Sequence, residues 1–418
     1  MGIGGSGASA AAAIAHAQSY QVSGCDLKKQ SQYLSALPQQ IKFLQKHNPE
    51  HLNKKIDLLV VSPAILKLDP KNPELERAKS YKIPVLTWQQ FMGRYLQKGK
   101  TVIAVAGTHG KSTTTAMIGH ILKATGLDPT VEIGANDLAW QANFRVGKGE
   151  YFVCEADEYN NNFLNYKPNY AVVTNIELDH PDFFNNEEKL FLSFKKFVNQ
   201  IQSPGFLFLQ PEQVGIARLI KLLSKNVQII SCPNKQFELQ ILGSHNQHNA
   251  SLAACLAHQL KIKDEVINKT LAKFAGVAQR LEKKGQFFGA DLYSDYAVHP
   301  TEVKRVLKTL QSQYPTAKIF AVFEPHTFSR LSYFFEDFVR VFSNSKTKVL
   351  VTDVFAAREK KGRVDASDLA NALKNATYLP FPKVANYLKN GVGKSDVIVV
   401  MGAGDSYKIV DSLLKGVN

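Results

Sequence analysis

The stretch Ala104–Met117, AVAGTHGKSTTTAM, sets Gly107, Thr108, His109, Gly110, Lys111, Ser112 and Thr113 between an apolar run and a helix-forming one. A glycine turn with a lysine and a hydroxyl at that junction can cradle phosphate. Backbone N–H groups and the helix N-terminus attract the anion, the lysine neutralises the β and γ phosphates, and the serine hydroxyl ligates Mg²⁺. Gly110-Lys111-Ser112 fits the right half of G-x-x-x-x-G-K-[ST], but Val105 stands where the first glycine belongs and Gly107 takes its place nearer the lysine. The plain alternative is a tight turn with Lys111 in solvent; the position directly behind TVIAVAG disfavours it. Two later segments can supply oxygen donors to the same metal. CEADEYN carries Glu155, Asp157 and Glu158, and NIELDHPDFF carries Glu177, Asp179, His180 and Asp182. Both follow apolar strands, and ligands of open α/β sheets bind at carboxyl strand ends. Glu158 and Glu177 read as solvated carboxylates with the least to do.

A second glycine cluster, Gly2, Gly4, Gly5 and Gly7, forms G-x-G-G-x-G. Asp26 lies at the distance of a ribose-binding acid, so spacing alone suggests NAD(P). Such a loop follows a strand, and only Met1 precedes Gly2; the first domain's sheet is expected to lack a member.

The elements that must hold these groups alternate between strand and helix, which predicts parallel sheets. In the first stretch, strands are expected at Tyr20–Ser23, Ile56–Ser62 and Pro84–Leu86, a helix around Asn72–Tyr81, and a polar linker at Gly93–Lys100. TVIAVAG, YFVCEAD and YAVVTNI are nearly continuous apolar runs, as strands covered on both faces should be. The helix after the loop ends at Gly126, and another begins near His248. The last stretch repeats the alternation: DLYSDYA, a helix at Pro300–Gln313, KIFAVFEP, a helix around Leu331–Phe342, KVLVTDVF and DVIVVMGAGDSY. The fold class is α/β, with three domains at 1–98, 99–283 and 284–418.

The formal net charge of +15 is spread along the chain. With no nucleic-acid module signature, it suits a polyanionic nucleotide better than nucleic acid. No apolar run approaches the ~20 residues of a membrane span. The N-terminus lacks the basic segment of a signal peptide. Cys25, Cys154, Cys232 and Cys255 form no CxxC pair, so zinc has no support and free buried thiols in a reducing cytoplasm are expected.

GTHGKSTTTAM, EADEYNNNF, NIELDHPDFF, GSHNQHNASLAA and SDYAVHPTEV occur in this order, with GIGGSG, VSGCDL, FEPHTFSR and VMGAGDSYKI around them. The series resembles the Mur ligases, ATP-dependent amide-forming enzymes of peptidoglycan precursor synthesis, over nearly the whole chain. The family's loop reads G-T-[HN]-G-K-[ST]-T, so the displaced glycine is normal for it. The motifs are most similar to the branch that adds L-alanine to UDP-N-acetylmuramate.

That resemblance implies ATP and Mg²⁺ as cofactors, those two substrates, and a monomer or weak dimer. By position, Lys111 binds the ATP phosphates within the loop Gly107–Thr113. Ser112 and Glu155 hold one Mg²⁺, and His180 a second or shared one. Asn249 and Arg280 reach the nucleotide, and Asp295 and Tyr296 close on it from the last domain. Gly4, Gly5, Ser6, Gly7, Asp26 and Ser62 hold the UDP-sugar, and His47 stands where a Gly-His contacts ribose. His326 and Arg330 lie where amino acid and acyl group meet, although Arg330 also reads as a surface arginine at a helix start.

The implied chemistry is attack of the muramoyl carboxylate on the γ-phosphate, then attack of the amine on the acyl phosphate. His299 is a candidate base, or an ordinary helix-entry histidine before Pro300. The chain departs from the family at Val298, where a histidine is usual, and in a short stretch between Asn199 and Gly243. Lys195 falls near a lysine that some relatives modify, with no register to assign it. A murein-tripeptide recycling ligase, folylpolyglutamate synthetase and a catalytically impaired nucleotide-binding relative are the rival readings.

Overall fold

A computed structural model describes residues 1–223 and 227–416, which fall into two compact units. The first comprises Met1–Glu177, Glu187–Gln240 and Asn246–Val277; the second comprises Leu178–Asn186, Ile241–His245 and the chain from Ala278 onward.

In the first unit, β1 (Ser23–Asp26) pairs in parallel with β2 (Lys42–Gln45), and β3 (Leu59–Val61) with β4 (Val85–Thr87), as two separate sheets. Met1 lies between them. Its amino group donates to Val60 O at 2.7 Å, the Ser62 N–H donates to Met1 O at 3.1 Å, and the Gly2 N–H donates to Cys25 O at 2.8 Å. Met1 thus bridges the two pairs, and no strand joins them among the described residues. The glycine loop then enters the helix Ser6–Ala17, whose small side chains bury closely. A Cβ on Gly7 would overlap the Trp88 ring.

The rest of this unit is a seven-stranded sheet in the order β11-β10-β9-β5-β8-β6-β7. Its strands are β5 (Thr101–Ala106), β6 (Thr130–Asp137), β7 (Ala142–Arg145), β8 (Tyr151–Glu155), β9 (Tyr170–Val173), β10 (Phe206–Leu209) and β11 (Gln228–Ser231). All pair in parallel except β6 with β7. β5 is apolar and buried from Val102 to Ala106, as a central strand with both faces covered should be. Its neighbours are β9 and β8, so the segments after those strands flank the loop after β5.

Two expectations fail here. Gly93–Lys100 is no solvated linker: Met92–Leu96 forms a π-helical turn with Met92 and Leu96 buried, and Gly93 packs on the Asn165 carbonyl. The thiols are not all free either. Cys232, just past β11, and Cys255, on the helix His245–Gln259, form a disulfide with their Cα atoms 5.6 Å apart, while Cys25 and Cys154 are free and buried.

The second unit holds a six-stranded sheet in the order β12-β13-β17-β14-β15-β16. These are β12 (Glu282–Phe287), β13 (Ala290–Asp295), β14 (Ile319–Phe323), β15 (Thr347–Val351), β16 (Ala376–Tyr378) and β17 (Val397–Met401), parallel except for the β12–β13 hairpin. Phe323, Phe338 and Phe342 pack on one face, and Phe320, Val322, Ile398 and Val400 on the other. The helix expected around Leu331–Phe342 is two helices, Phe328–Tyr333 and Phe335–Ser343, broken at Phe334 (φ −101°, ψ 19°). No helix among the described residues is long and apolar enough to cross a membrane.

Candidate active site

The loop after β5 is built by the end of β9. Gly107 has φ +134°, and a Cβ there would overlap the Thr174 hydroxyl, so only glycine fits. The Thr108 N–H donates to Asn175 O at 3.0 Å, and the His109 N–H donates to Asn175 Oδ1 at 3.1 Å. The Thr108 hydroxyl donates to Glu177 O at 2.8 Å and accepts from the Glu177 N–H at 2.9 Å. Gly110 turns into the helix Lys111–Ala124 at φ +84°, with Asn249 Oδ1 packed 2.5 Å from where its Cβ would lie. The first N–H groups of such a helix have no carbonyl partner within it and present positive charge.

Lys111 folds back over this loop. Its Nζ donates to Gly107 O at 2.7 Å, to Thr108 O at 3.3 Å and to Glu158 Oε2 at 2.8 Å. Burial opposes its charge, but Glu158, Asp157 and Glu155 outweigh burial and hold its pKa above the ordinary lysine value. Glu158 is therefore not a solvated carboxylate: it is 1% exposed and is the direct counter-ion of Lys111. Glu177 has work as well, accepting from His109 Nε2 at 3.1 Å.

Glu155 accepts from the Gly134 N–H at 2.8 Å. Beside it is Glu132, a buried carboxylate that sequence reasoning missed because it sits inside an apolar-looking strand. Burial and Glu155 push its pKa well above the ordinary range, and its Oε2 has no hydrogen-bond partner. The Ser112 hydroxyl and the Glu155, Glu158 and Glu132 carboxylates are all hard oxygen donors, the kind that suits Mg²⁺.

In the N-terminal glycine loop, Asp26 turns inward. Its Oδ2 accepts from the Gly4 N–H at 2.9 Å and its Oδ1 from the Lys28 N–H at 3.0 Å. A carboxylate spent on its own loop does not have the ribose-binding orientation that the NAD(P) reading required. Ser6 Oγ donates to Gly134 O at 2.8 Å, which ties the loop to β6. Gly5 caps the helix Ser6–Ala17 in extended conformation. Ser62 stands at the head of the helix Pro63–Leu68, with its N–H on Met1. His47 points instead at Cys25 and Glu74.

The second unit assembles its own cluster. Arg330 is 4% exposed, so it is no surface arginine. It donates from Nε to Asp179 Oδ1 at 2.8 Å, from Nη2 to Asp179 Oδ2 at 3.2 Å and from Nη1 to His326 Nδ1 at 2.9 Å. His180 Nδ1 lies 3.4 Å from Nη2. Burial would raise the pKa of Asp179, but Arg330, with His180 and His299, holds it well below the usual carboxylate range. Burial and then Arg330 depress His326 to about 3.

His299 caps the helix Pro300–Gln313. Its Nδ1 accepts from the Thr301 N–H at 3.2 Å and its Nε2 donates to Leu178 O at 3.1 Å. Both ring nitrogens are thus engaged in this structure, and His299 caps the helix entry. Asp295 Oδ2 accepts from the Leu281 N–H at 2.6 Å and Oδ1 from the Ala297 N–H at 2.7 Å; burial pushes its pKa up to about 7. The Arg280 guanidinium lies 4.7 Å from the Tyr296 ring centroid. Val298 is buried.

A phosphate-cradling loop at the head of a parallel sheet, with a charged lysine and oxygen donors beside it, defines a nucleotide-dependent phosphoryl-transfer enzyme. Models of the Mur ligase family match in chain order: the catalytic domain over residues 1–100, the middle domain over 105–238 and the glutamate ligase domain over 279–404. The UDP-N-acetylmuramate–L-alanine ligase of Caldicellulosiruptor saccharolyticus is 37% identical over 99% of this chain and 97% of its own. Among solved structures, the UDP-N-acetylmuramate-alanine ligase of Thermotoga maritima superposes with a TM-score of 0.81 at 23% identity, covering 100% of this chain and 97% of its own. A murein peptide ligase of Psychrobacter arcticus gives 0.72 at 21% identity, covering 99% and 97%. The chain belongs to the Mur ligase family and has its three-domain α/β fold. It is an ATP-dependent, amide-forming ligase of peptidoglycan precursor synthesis.

Proposed function

We propose that this ligase joins L-alanine to the carboxylate of UDP-N-acetylmuramate, in the cytoplasm, as a monomer or weak dimer. The full-length agreement with relatives named for that reaction carries the reading. In it, Lys111 exchanges Glu158 for the β and γ phosphates of ATP, and the Gly107–Thr113 backbone and Asn249 fix the nucleotide. Ser112 and Glu155 would hold Mg²⁺, with His180 a further candidate ligand; when bound, the ion neutralises phosphate oxygens. The loop Gly4–Gly7, shaped by Asp26, and Ser62 receive the UDP-sugar. Arg280, Tyr296 and Asp295 serve the nucleotide from the last domain, and His326 and Arg330 the acyl group.

The muramoyl carboxylate attacks the γ-phosphorus, ADP leaves, and the acyl phosphate then accepts the alanine amine with release of phosphate. The test is phosphate release from ATP with UDP-N-acetylmuramate and each amino acid in turn. Release that requires both the UDP-sugar and L-alanine is expected. Release with a murein tripeptide in place of alanine, or none at all, would overturn the assignment.

A further inference from the structure

Cys25, His47, His51 and Glu74 converge in the N-terminal domain, and none of them is assigned above to ATP. Cys25 is on β1, His47 precedes and His51 ends the short 3-10 turn Pro49–His51, and Glu74 lies in the first turn of the helix Pro73–Ser80. Cys25 Sγ lies 3.2 Å from His47 Nδ1 and 3.2 Å from Glu74 Oε2. Glu74 Oε2 is 3.4 Å from His47 Nδ1, and Glu74 Oε1 is 2.6 Å from His51 Nδ1. Cys25, His51 and Glu74 each offer one ligand atom within 4.8 Å of the others.

We propose that these four side chains form a structural zinc site. Thiolate, two imidazoles and a carboxylate are a borderline-soft set that selects Zn²⁺ over Mg²⁺. Tetrahedral zinc at its usual bond lengths separates ligand atoms by roughly 3.3–3.6 Å, and three of the contacts already lie close to that. The short His51–Glu74 contact has to lengthen. Glu74 is 1% exposed, and its partners are the Cys25 thiol, the two imidazoles and the Asn48 N–H. No lysine or arginine is among them; the Met1 ammonium is the fixed cation whose field reaches Cys25 and Glu74, and a bound dication would place further positive charge directly on the carboxylate. His47 and His51 remain 11% and 17% exposed, leaving the ion an entry past their ring edges. The site would clip β1 to the helix that precedes β4, across a domain whose strands form two separate pairs. Zinc binding releases the Cys25 proton, and no bond to carbon changes.

The test uses the full-length protein, stripped with a chelator and kept in excess Mg²⁺ to fill hard-oxygen sites. Titration with Co²⁺ should produce a thiolate-to-cobalt charge-transfer band that saturates at one equivalent and is displaced by Zn²⁺. The band should vanish in Cys25→Ser and persist in Cys154→Ser. His51→Ala should weaken zinc binding by about 100-fold or more, beyond the 10–100-fold of losing a supporting partner. Failure of wild-type protein to give the band, or survival of the band in Cys25→Ser, would overturn the site. If Cys25→Ser does not fold, the wild-type titration and the His51→Ala affinity decide.

Discussion

Asp179→Asn removes one charge from the buried core of the second unit while keeping its shape. Asp179 and Arg330 share bonds of 2.8 and 3.2 Å, and their side chains are 10% and 5% exposed, so solvent screens the pair little. Removing one partner of such a pair costs about 3–5 kcal/mol, mostly because the other charge is left buried and uncompensated. An amide accepts at one oxygen only, but Arg330 keeps His326 Nδ1 at 2.9 Å. The low end applies, about 3 kcal/mol, or roughly a hundredfold in the local opening equilibrium. The folded-state pKa of Asp179 is depressed below its ordinary 3.8. Its stabilisation is therefore fully present above 3.8 and lost only as pH falls through the folded pKa, so the penalty should be flat between about pH 5 and 8. Hydrogen exchange read by mass spectrometry is the suitable assay, because a multi-unit chain has no single unfolding free energy. Peptides covering residues 326–343 should exchange much faster in the variant, and those covering Thr101–Ala106 should not change. Exchange over 326–343 within about threefold of the parent would refute the idea that this pair anchors the cluster.

Three further perturbations have definite expected outcomes. Lys111→Ala should lower kcat/KM for phosphate release by about 10²–10³-fold, the usual effect of losing one pre-placed charge donor, with far-ultraviolet circular dichroism unchanged; retained activity would remove Lys111 from the phosphate site. Gly107→Ala puts a Cβ into the Thr174 hydroxyl at φ +134°, so a loss of roughly 1–3 kcal/mol in stability should accompany weaker ATP binding by calorimetry; normal ATP affinity would show that the turn relaxes freely. Asp295 has a folded-state pKa of about 7 against 3.8 ordinarily, so its protonated form contributes stability that is full below 3.8 and lost as pH rises to about 7. The stability difference between wild type and Asp295→Asn should therefore shift towards the variant by up to about 1.4 kcal/mol per pH unit in that window, and a pH-independent difference would contradict it.

How much of this was legible beforehand depended on how local the determining physics is. β5, β8 and β9 read correctly because a strand covered on both faces must be apolar along its length. The helix Pro300–Gln313 was found at both ends, since Pro300 at its first position and the His299–Glu302 capping box are encoded within a few residues. The π-helical turn Met92–Leu96 was missed because its polar composition outweighed Met92 and Leu96, two apolar residues spaced to bury one face. Asn160 and Asn161 take φ of 54° and 56° after β8, a left-handed conformation that asparagine tolerates but that no strand or helix pattern places there. The burial of Glu158 was equally invisible.

The site was legible as a set of residue types and illegible as a set of partnerships. Gly107, Gly110, Lys111 and Ser112 announce phosphate chemistry from adjacent positions. What holds Lys111 charged is a carboxylate 47 residues away, and what grips Arg330 is one 151 residues away. The same reasoning explains the N-terminal cluster. Cys25 and His47 are 22 residues apart and His51 and Glu74 are 23 apart, so no short metal-binding spacing betrays them. Only the close approach of β1 to the helix Pro73–Ser80 brings a thiol within 3.2 Å of a buried carboxylate. A buried carboxylate with no lysine or arginine beside it is costly unless something else balances its charge. Around Glu74 the Met1 ammonium and two imidazoles stand in for that lysine or arginine, a setting visible only once the fold has formed and unlike the Lys111–Glu158 and Arg330–Asp179 pairs, each of which brings its own side-chain cation.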